Sequence, residues 1–291
     1  MDTNGARWTE GELIAKFNRT ANWTPLIASG VPKMISTDLK HIARAVLVAL
    51  RIRPSPHRFR GVFSTYEQAM AAVRRGALRG YDHDANTAIS FEEMCQLTLR
   101  DYPVLFWLQR LAPEIKCLID AGGHMGTKYR AFRGRLDAFE NIQWVIYDLP
   151  AIVRAGRDRA RLDGLDDLLF IDSISEAPPA DLLLASGLLQ YLDIPFADLL
   201  NRLQPLPQHL ILNKVATREG PSIVTLENLG PSETPYQIRN RAEFEASLEA
   251  LGYVIVDQWV IPEFSHVIPG HASFGTSSSR GYYARRSTPN D

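Results

Sequence analysis

Cys117-Leu118-Ile119-Asp120-Ala121-Gly122-Gly123-His124-Met125-Gly126 reads as a buried strand ending in an acidic residue, then a glycine-rich turn, then a helix from about Thr127. Cys117, Leu118 and Ile119 form the continuous apolar run of a strand covered on both faces. The glycines admit positive φ and a close backbone approach. The helix that follows offers unpaired N–H groups and the positive end of its dipole. Such a turn holds a nucleotide-like ligand at the carboxyl edge of a parallel sheet.

Outward from this turn the alternation is regular. Strand 115–120 precedes helix 127–139, and strand 142–147 precedes helix 150–162. Strand 168–171 leads through a proline-rich turn to strand 181–186, a helix near 196–203 and strand 208–213. A long connection, 214–240, comes before helix 241–251, and strands at 253–261 and 281–285 close the chain. Strands alternating with helices imply a parallel α/β sheet with right-handed crossovers. The last two strands have no helical pattern between them, so they are expected to pair as a hairpin with one strand antiparallel. Five βα units closed by such a hairpin is the order of the Rossmann-like class I methyltransferase sheet, mostly parallel and seven-stranded.

Upstream, residues 1–112 read as a helical cap or lid region, with the sheet domain over 113–291. Residues 8–20 are weakly helical. Leu39, Ile42, Ala43, Val46, Leu47 and Leu50 make one apolar helix face, ended by Pro54 and Pro56. Packing of that face on the main domain or in a homodimer outweighs a membrane-surface role. Ser64 and Glu67 have capping-box spacing for a helix within 59–79. A long helical region over 89–111 is expected to split near Asp101, because Pro103 lacks the N–H it would need there.

The 291 residues carry a formal net charge of −1, so no general attraction to nucleic acid or anionic membrane is indicated. No apolar run approaches the roughly 20 residues a membrane helix needs, and no secretory signal appears. Cys95 and Cys117 lack metal-ligand spacing and read as free thiols of a reducing compartment. The expectation is a cytoplasmic, metal-free protein.

In a doubly wound sheet the ligand contacts come from the carboxyl ends of the strands. Asp120 can order the glycine turn or meet an ammonium group. Asp148, ending the second strand, can accept from a ribose diol or cap the next helix. Asp172 and Ser173 end the third strand where an adenine amino group would lie, or form a polar turn. The fourth strand passes into Ser186-Gly187-Leu188-Leu189-Gln190-Tyr191-Leu192, an apolar turn in which Gly187 permits close approach and Tyr191 can flank a substrate.

These stretches resemble an uncharacterised bacterial family of class I S-adenosylmethionine (SAM) methyltransferases. The likeness spans roughly residues 59–286. It is carried by Gly61-Val62-Phe63-Ser64, Gly80-Tyr81-Asp82, Arg100-Asp101, Asp120-Ala121-Gly122-Gly123 with Gly126, the Ser186–Leu192 turn and Leu251-Gly252-Tyr253. Tyr147-Asp148-Leu149-Pro150 is similar to a segment of small-molecule O-methyltransferases. The resemblance implies SAM binding by Asp120, Gly122, Gly123, Gly126 and Asp148, with Ser186 and Gly187 near the reactive end. His124 departs from the family, taking a place where glycine is expected; it either contacts the methionyl carboxylate or points to solvent.

A sulfonium methyl is already activated, so alignment and exclusion of water are the main requirements. An oxygen acceptor also calls for a general base, and His266 and His271, in the connection between the last two strands, are candidates. Arg100 and Asp101, with Tyr81 and Asp82, either cap the methionyl end or pair on a helix surface. Gln190, Tyr236 and Arg239 are candidate substrate contacts, and the connection 214–240 joins residues 1–110 in a substrate lid. The expected function is methyl transfer from SAM to a small molecule, of natural-product or saccharide type. Rival readings are SAM consumption by cyclisation or aminocarboxypropyl transfer, a non-catalytic SAM-binding scaffold, and, least favoured, a nicotinamide oxidoreductase.

Overall fold

In the computed structural model, which describes residues 57–84, 91–136 and 139–287 of the unit Pro56–Asp291, eleven strands form one sheet. They are β1 (Phe59–Phe63), β2 (Leu78–Arg79), β3 (Cys117–Ala121), β4 (Gln143–Tyr147), β5 (Leu169–Ile171), β6 (Leu182–Ser186), β7 (His209–Arg218), β8 (Ile223–Asn228), β9 (Ser232–Asn240), β10 (Tyr253–Ile261) and β11 (Ser278–Arg286). The helices are α1 (Tyr66–Ala71), α2 (Phe91–Met94), α3 (Tyr102–Leu111), α4 (Thr127–Phe132), α5 (Pro150–Leu162), α6 (Phe196–Leu200) and α7 (Arg241–Ala250). The segments expected to be helical at 8–20 and 39–50 lie outside the described residues.

Strands β5, β4, β3, β6 and β7 are neighbours in that order, all parallel. β11 then pairs antiparallel with β7, and β10 antiparallel with β11. This is the class I methyltransferase order expected from the closing hairpin. The period-2 alternation divides the core. Leu118, Trp144, Ile146, Leu182 and Leu184 face α3, α4 and α5, while Ile119, Val145, Leu183, Leu210 and Leu212 face α6 and α7. Both faces are covered, which is why β3 and β6 read as unbroken apolar runs.

Five features differ from the sequence reading. The connection 214–240 is not a loop: β7 runs on to Arg218, and β8 and β9 form an antiparallel pair whose register starts at Ile223↔Ile238. Helical patterning hid two strands in the segment 57–84, β1 on β8 and β2 on β9, so this segment and the 214–240 insertion share a small sheet. The cap of α1 is Thr65, one residue after Ser64; its hydroxyl accepts the Gln68 N–H at 3.2 Å. Helix α4 stops at Phe132 rather than at 139, where Arg133 turns extended and Gly134 takes φ 75°. The split in the 89–111 region falls before Asp101, and Pro103 sits in the first turn of α3, where its missing N–H costs nothing.

Candidate functional site

Beyond Ala121 the chain turns through three left-handed residues, Gly122 (φ 73°), His124 (φ 54°) and Gly126 (φ 77°). The Gly122 N–H donates to the Tyr147 carbonyl at 2.8 Å, tying the turn to the end of β4. A Cβ on Gly123 would sit 2.7 Å from the Asp120 carboxyl carbon, so only glycine lets that carboxylate lie under the turn. Asp120 is 1% exposed. One oxygen accepts from Trp144 Nε1 at 3.2 Å, and the other is buried without a hydrogen-bond partner. Burial pushes its pKa up to about 7, against the lowering effect of Trp144 and Lys128.

His124 holds a left-handed backbone, a conformation histidine tolerates better than branched residues do. It does not point to solvent: the side chain is buried and stacks on Phe91, with ring centres 6.2 Å apart. Its N–H donates to Asp148 Oδ2 at 2.8 Å, and Asp148 Oδ1 accepts from Leu149 N at 2.8 Å. Asp148 therefore braces the turn and is not the cap of α5, whose N-cap residue is Leu149. Burial raises the Asp148 pKa to about 6, opposed by those two N–H donors.

The second turn lies against the first. A Cβ on Gly122 would come within 3.0 Å of Leu188 Cβ. Ser186 Oγ accepts from Asn213 Nδ2 at 3.3 Å, and Gly187 has φ 96°. Asp172 and Ser173 follow β5, whose Ile171 carbonyl accepts the Asp148 N–H at 3.2 Å, so the third strand end adjoins the second.

An aromatic row runs away from these strand ends. Ring centres of Tyr81 and Tyr191 are 5.6 Å apart, Tyr191 and Tyr236 5.6 Å, Tyr236 and Phe59 4.9 Å, and Phe59 and His266 5.0 Å. Tyr81 feels both Asp148 and Glu227, and burial with those charges lifts its pKa to about 12, so it links the cofactor-type edge to the row. The Tyr191 hydroxyl donates to Glu227 Oε2 at 2.6 Å, while Arg58 Nε donates to Glu227 Oε1 at 2.7 Å. Burial and then Glu227 hold the Tyr191 pKa far above its usual value, which makes it a neutral wall of the row rather than a base. Burial, and then Arg58, whose Nη1 is 3.3 Å from Nε2, lower the His266 pKa. Arg239, near Tyr236, has a buried Nη1 without a partner, and burial lowers its pKa to about 10.

Candidates thus gather in two groups that meet at Tyr81. His271 joins neither, its ring packing on Phe274 at 6.2 Å. Arg100 turns toward Glu263, 3.5 Å away, and over the Phe264 ring. Its neighbour Asp101 is buried, accepting from Lys128 Nζ at 2.6 Å and from Thr98. Asp82 accepts from Ala151 N at 3.1 Å, which puts it beside Asp148 rather than over the glycine turn. A surface depression of about 390 Å³ lies elsewhere, between α5 and β5, and is lined by Arg157, Arg161 and Leu165. Sequence reasoning missed Lys214, Asn213, Trp259 and Glu227. The one available signal was the polar pair Asn213-Lys214 interrupting an apolar strand.

Among the described residues no cluster of three or more metal-ligating side chains occurs, and no helix is long and apolar enough to cross a membrane. The sheet order and the strand-end turn give this chain the Rossmann-like class I methyltransferase fold. No family model and no curated protein matches it. Among solved structures it is similar to the 1,6-didemethyltoxoflavin-N1-methyltransferase of Burkholderia thailandensis, solved with 1,6-didemethyltoxoflavin and S-adenosylhomocysteine, at 17% identity over 70% of this chain and 87% of that one, TM-score 0.47. It is also similar to human N-acetylserotonin methyltransferase in complex with SAM, at 15% identity over 72% and 58% of the two chains, TM-score 0.44. An O-methyltransferase family protein from B. thailandensis matches at 11% identity over 88% and 71%, TM-score 0.44.

Proposed function

We propose that this chain binds S-adenosylmethionine across the carboxyl ends of β3, β4 and β6 and transfers its methyl group to a small-molecule acceptor. The observation that carries this reading is the Asp120–Gly126 turn: a left-handed backbone braced on Asp148, above a buried carboxylate with one oxygen unsatisfied. The cofactor, when bound, supplies a methyl group activated on a sulfonium. Asp120 would meet its ammonium, Asp148 would accept from its ribose hydroxyls, and Gly187 would leave room beside its sulfur. Tyr81, Tyr191 and Tyr236 exclude water and offer aromatic faces to the acceptor, which favours a planar or apolar small molecule. The near-neutral charge also speaks against a nucleic-acid substrate.

Titration calorimetry with S-adenosylhomocysteine tests the reading. Binding is expected in the micromolar range, roughly −8 kcal/mol, and Asp148→Ala should weaken it about tenfold or more, a loss of about 1.4 kcal/mol. Absence of binding, with thermal stabilisation by NAD instead, overturns it. Methylthioadenosine formed from SAM without any acceptor would replace methyl transfer by cyclisation or aminocarboxypropyl chemistry.

A further inference from the structure

Lys214 lies in β7 directly after Asn213, the residue paired with Ser186 at the end of β6. In the pairing of β7 with β11, Leu212 faces Tyr282 and Val215 faces Arg280, so Asn213 and Lys214 together oppose Gly281. That is a β-bulge, and Lys214 holds it with φ 61°, a left-handed conformation rare for lysine. The bulge is fastened from three sides. Asn213 Oδ1 accepts from Trp259 Nε1 at 3.0 Å, and its Nδ2 donates to Ser186 Oγ at 3.3 Å and to the Arg100 carbonyl at 3.2 Å. Gly281 is the residue that makes room, because a Cβ there would fall inside the Trp259 ring. Backbone strain so well supported re-aims a side chain, and the Lys214 stem is sent to the open face of Gly187: its Cδ lies 3.6 Å from where a Gly187 Cβ would be.

Gln190 reaches the same point, its Nε2 also 3.6 Å away, and its Oε1 is buried without a partner although the residue is only 5% exposed. Among the described residues no hydrogen bond or ion pair engages the Lys214 amine. We infer that Lys214 is the general base of this site, receiving the proton of the acceptor group, while Gln190 holds that group over Gly187. This rests on the methyltransfer reading. In the step, a lone pair of the acceptor X–H forms the bond to the methyl carbon as the carbon–sulfur bond breaks. The bonding pair stays on sulfur, and the X–H proton passes to Lys214 Nζ, leaving an ammonium that later releases it to water. The charged groups around Nζ are Lys128 on α4, Arg100 and Asp101 ahead of α3, and Asp120 on β3. Burial and then Lys128 lower the amine to about 7, so free base is available at neutral pH.

The acceptor is not needed for the test. Sinefungin carries an ammonium where SAM carries its methylated sulfonium, and S-adenosylhomocysteine carries no charge there. A protonated Lys214 facing that position repels sinefungin alone. The ratio of the two dissociation constants should therefore shift about tenfold toward sinefungin between pH 6 and pH 9. Lys214→Met should hold the ratio flat at the favourable level, and Lys214→Arg flat at the unfavourable one. A shift that persists in Lys214→Met, as titration of Asp120 or Asp148 would produce, overturns the inference, as does a flat wild-type ratio. If wild type binds neither ligand, the SAM reading itself falls and takes this inference with it; S-adenosylhomocysteine binding in the variants shows that they are folded.

Discussion

At the residue scale, Asp120 is a group whose ionisation the fold opposes. Its carboxyl is packed under Gly123 with one oxygen unpaired, and burial raises its pKa to about 7 from an ordinary value near 4. A carboxyl whose folded pKa exceeds its unfolded one favours the folded state fully below the unfolded value and loses that contribution as pH rises through the folded value. Wild type should accordingly lose stability between about pH 4 and pH 7, apart from other groups. Asp120→Asn should remove this part of the slope, so that the difference in melting temperature between variant and wild type moves in the variant's favour from pH 5 to pH 8. Parallel melting profiles for the two proteins would contradict it. The type of residue at 120 was legible in the sequence; its protonation was not, because that depends on Trp144, Lys128 and the turn folded over it.

Among the elements, α4 and the turn ahead of α3 are joined by one buried ion pair. Lys128 Nζ and Asp101 Oδ1 are 2.6 Å apart, with side chains 7% and 1% exposed. Burial alone would raise the Asp101 pKa, but Lys128 and the Thr98 hydrogen bonds outweigh it and hold the carboxyl below its usual range. Lys128→Met leaves that carboxylate buried and unpaired, so urea unfolding should show a loss of about 3–5 kcal/mol. Adding Asp101→Asn should recover most of it. Equal losses in the single and double variants would mean that the unpaired carboxylate is not what costs the stability. The sequence marked Arg100-Asp101 as a family motif, yet neither ordinary surface pairing nor a cofactor cap describes Asp101, which anchors one helix on another.

For the whole molecule, stability should follow coverage. β3 is buried throughout and β6 nearly so, whereas edge strand β10 exposes Val254, Val256 and Val260 at half or more of their area. Hydrogen exchange is expected to be slowest in β3, β6 and the half of β7 beside them, and faster in β10 and in the small sheet of β1, β8 and β9. Exchange in β10 as slow as in β3 would show that coverage does not govern opening here. The sequence by itself determined the parallel core, its hairpin closure and the acidic strand end with its glycine turn, since these follow from local periodicity and from the conformational freedom of glycine. It missed β1, β2, β8 and β9, strands whose pairing with one another is their main support. Only the tertiary structure decided that the Tyr191 hydroxyl donates a hydrogen bond to Glu227, 36 positions away, and that the Asn213–Lys214 bulge opposite Gly281 turns a lysine toward Gly187. Those features come from register and from burial shared between distant segments, which no local pattern encodes.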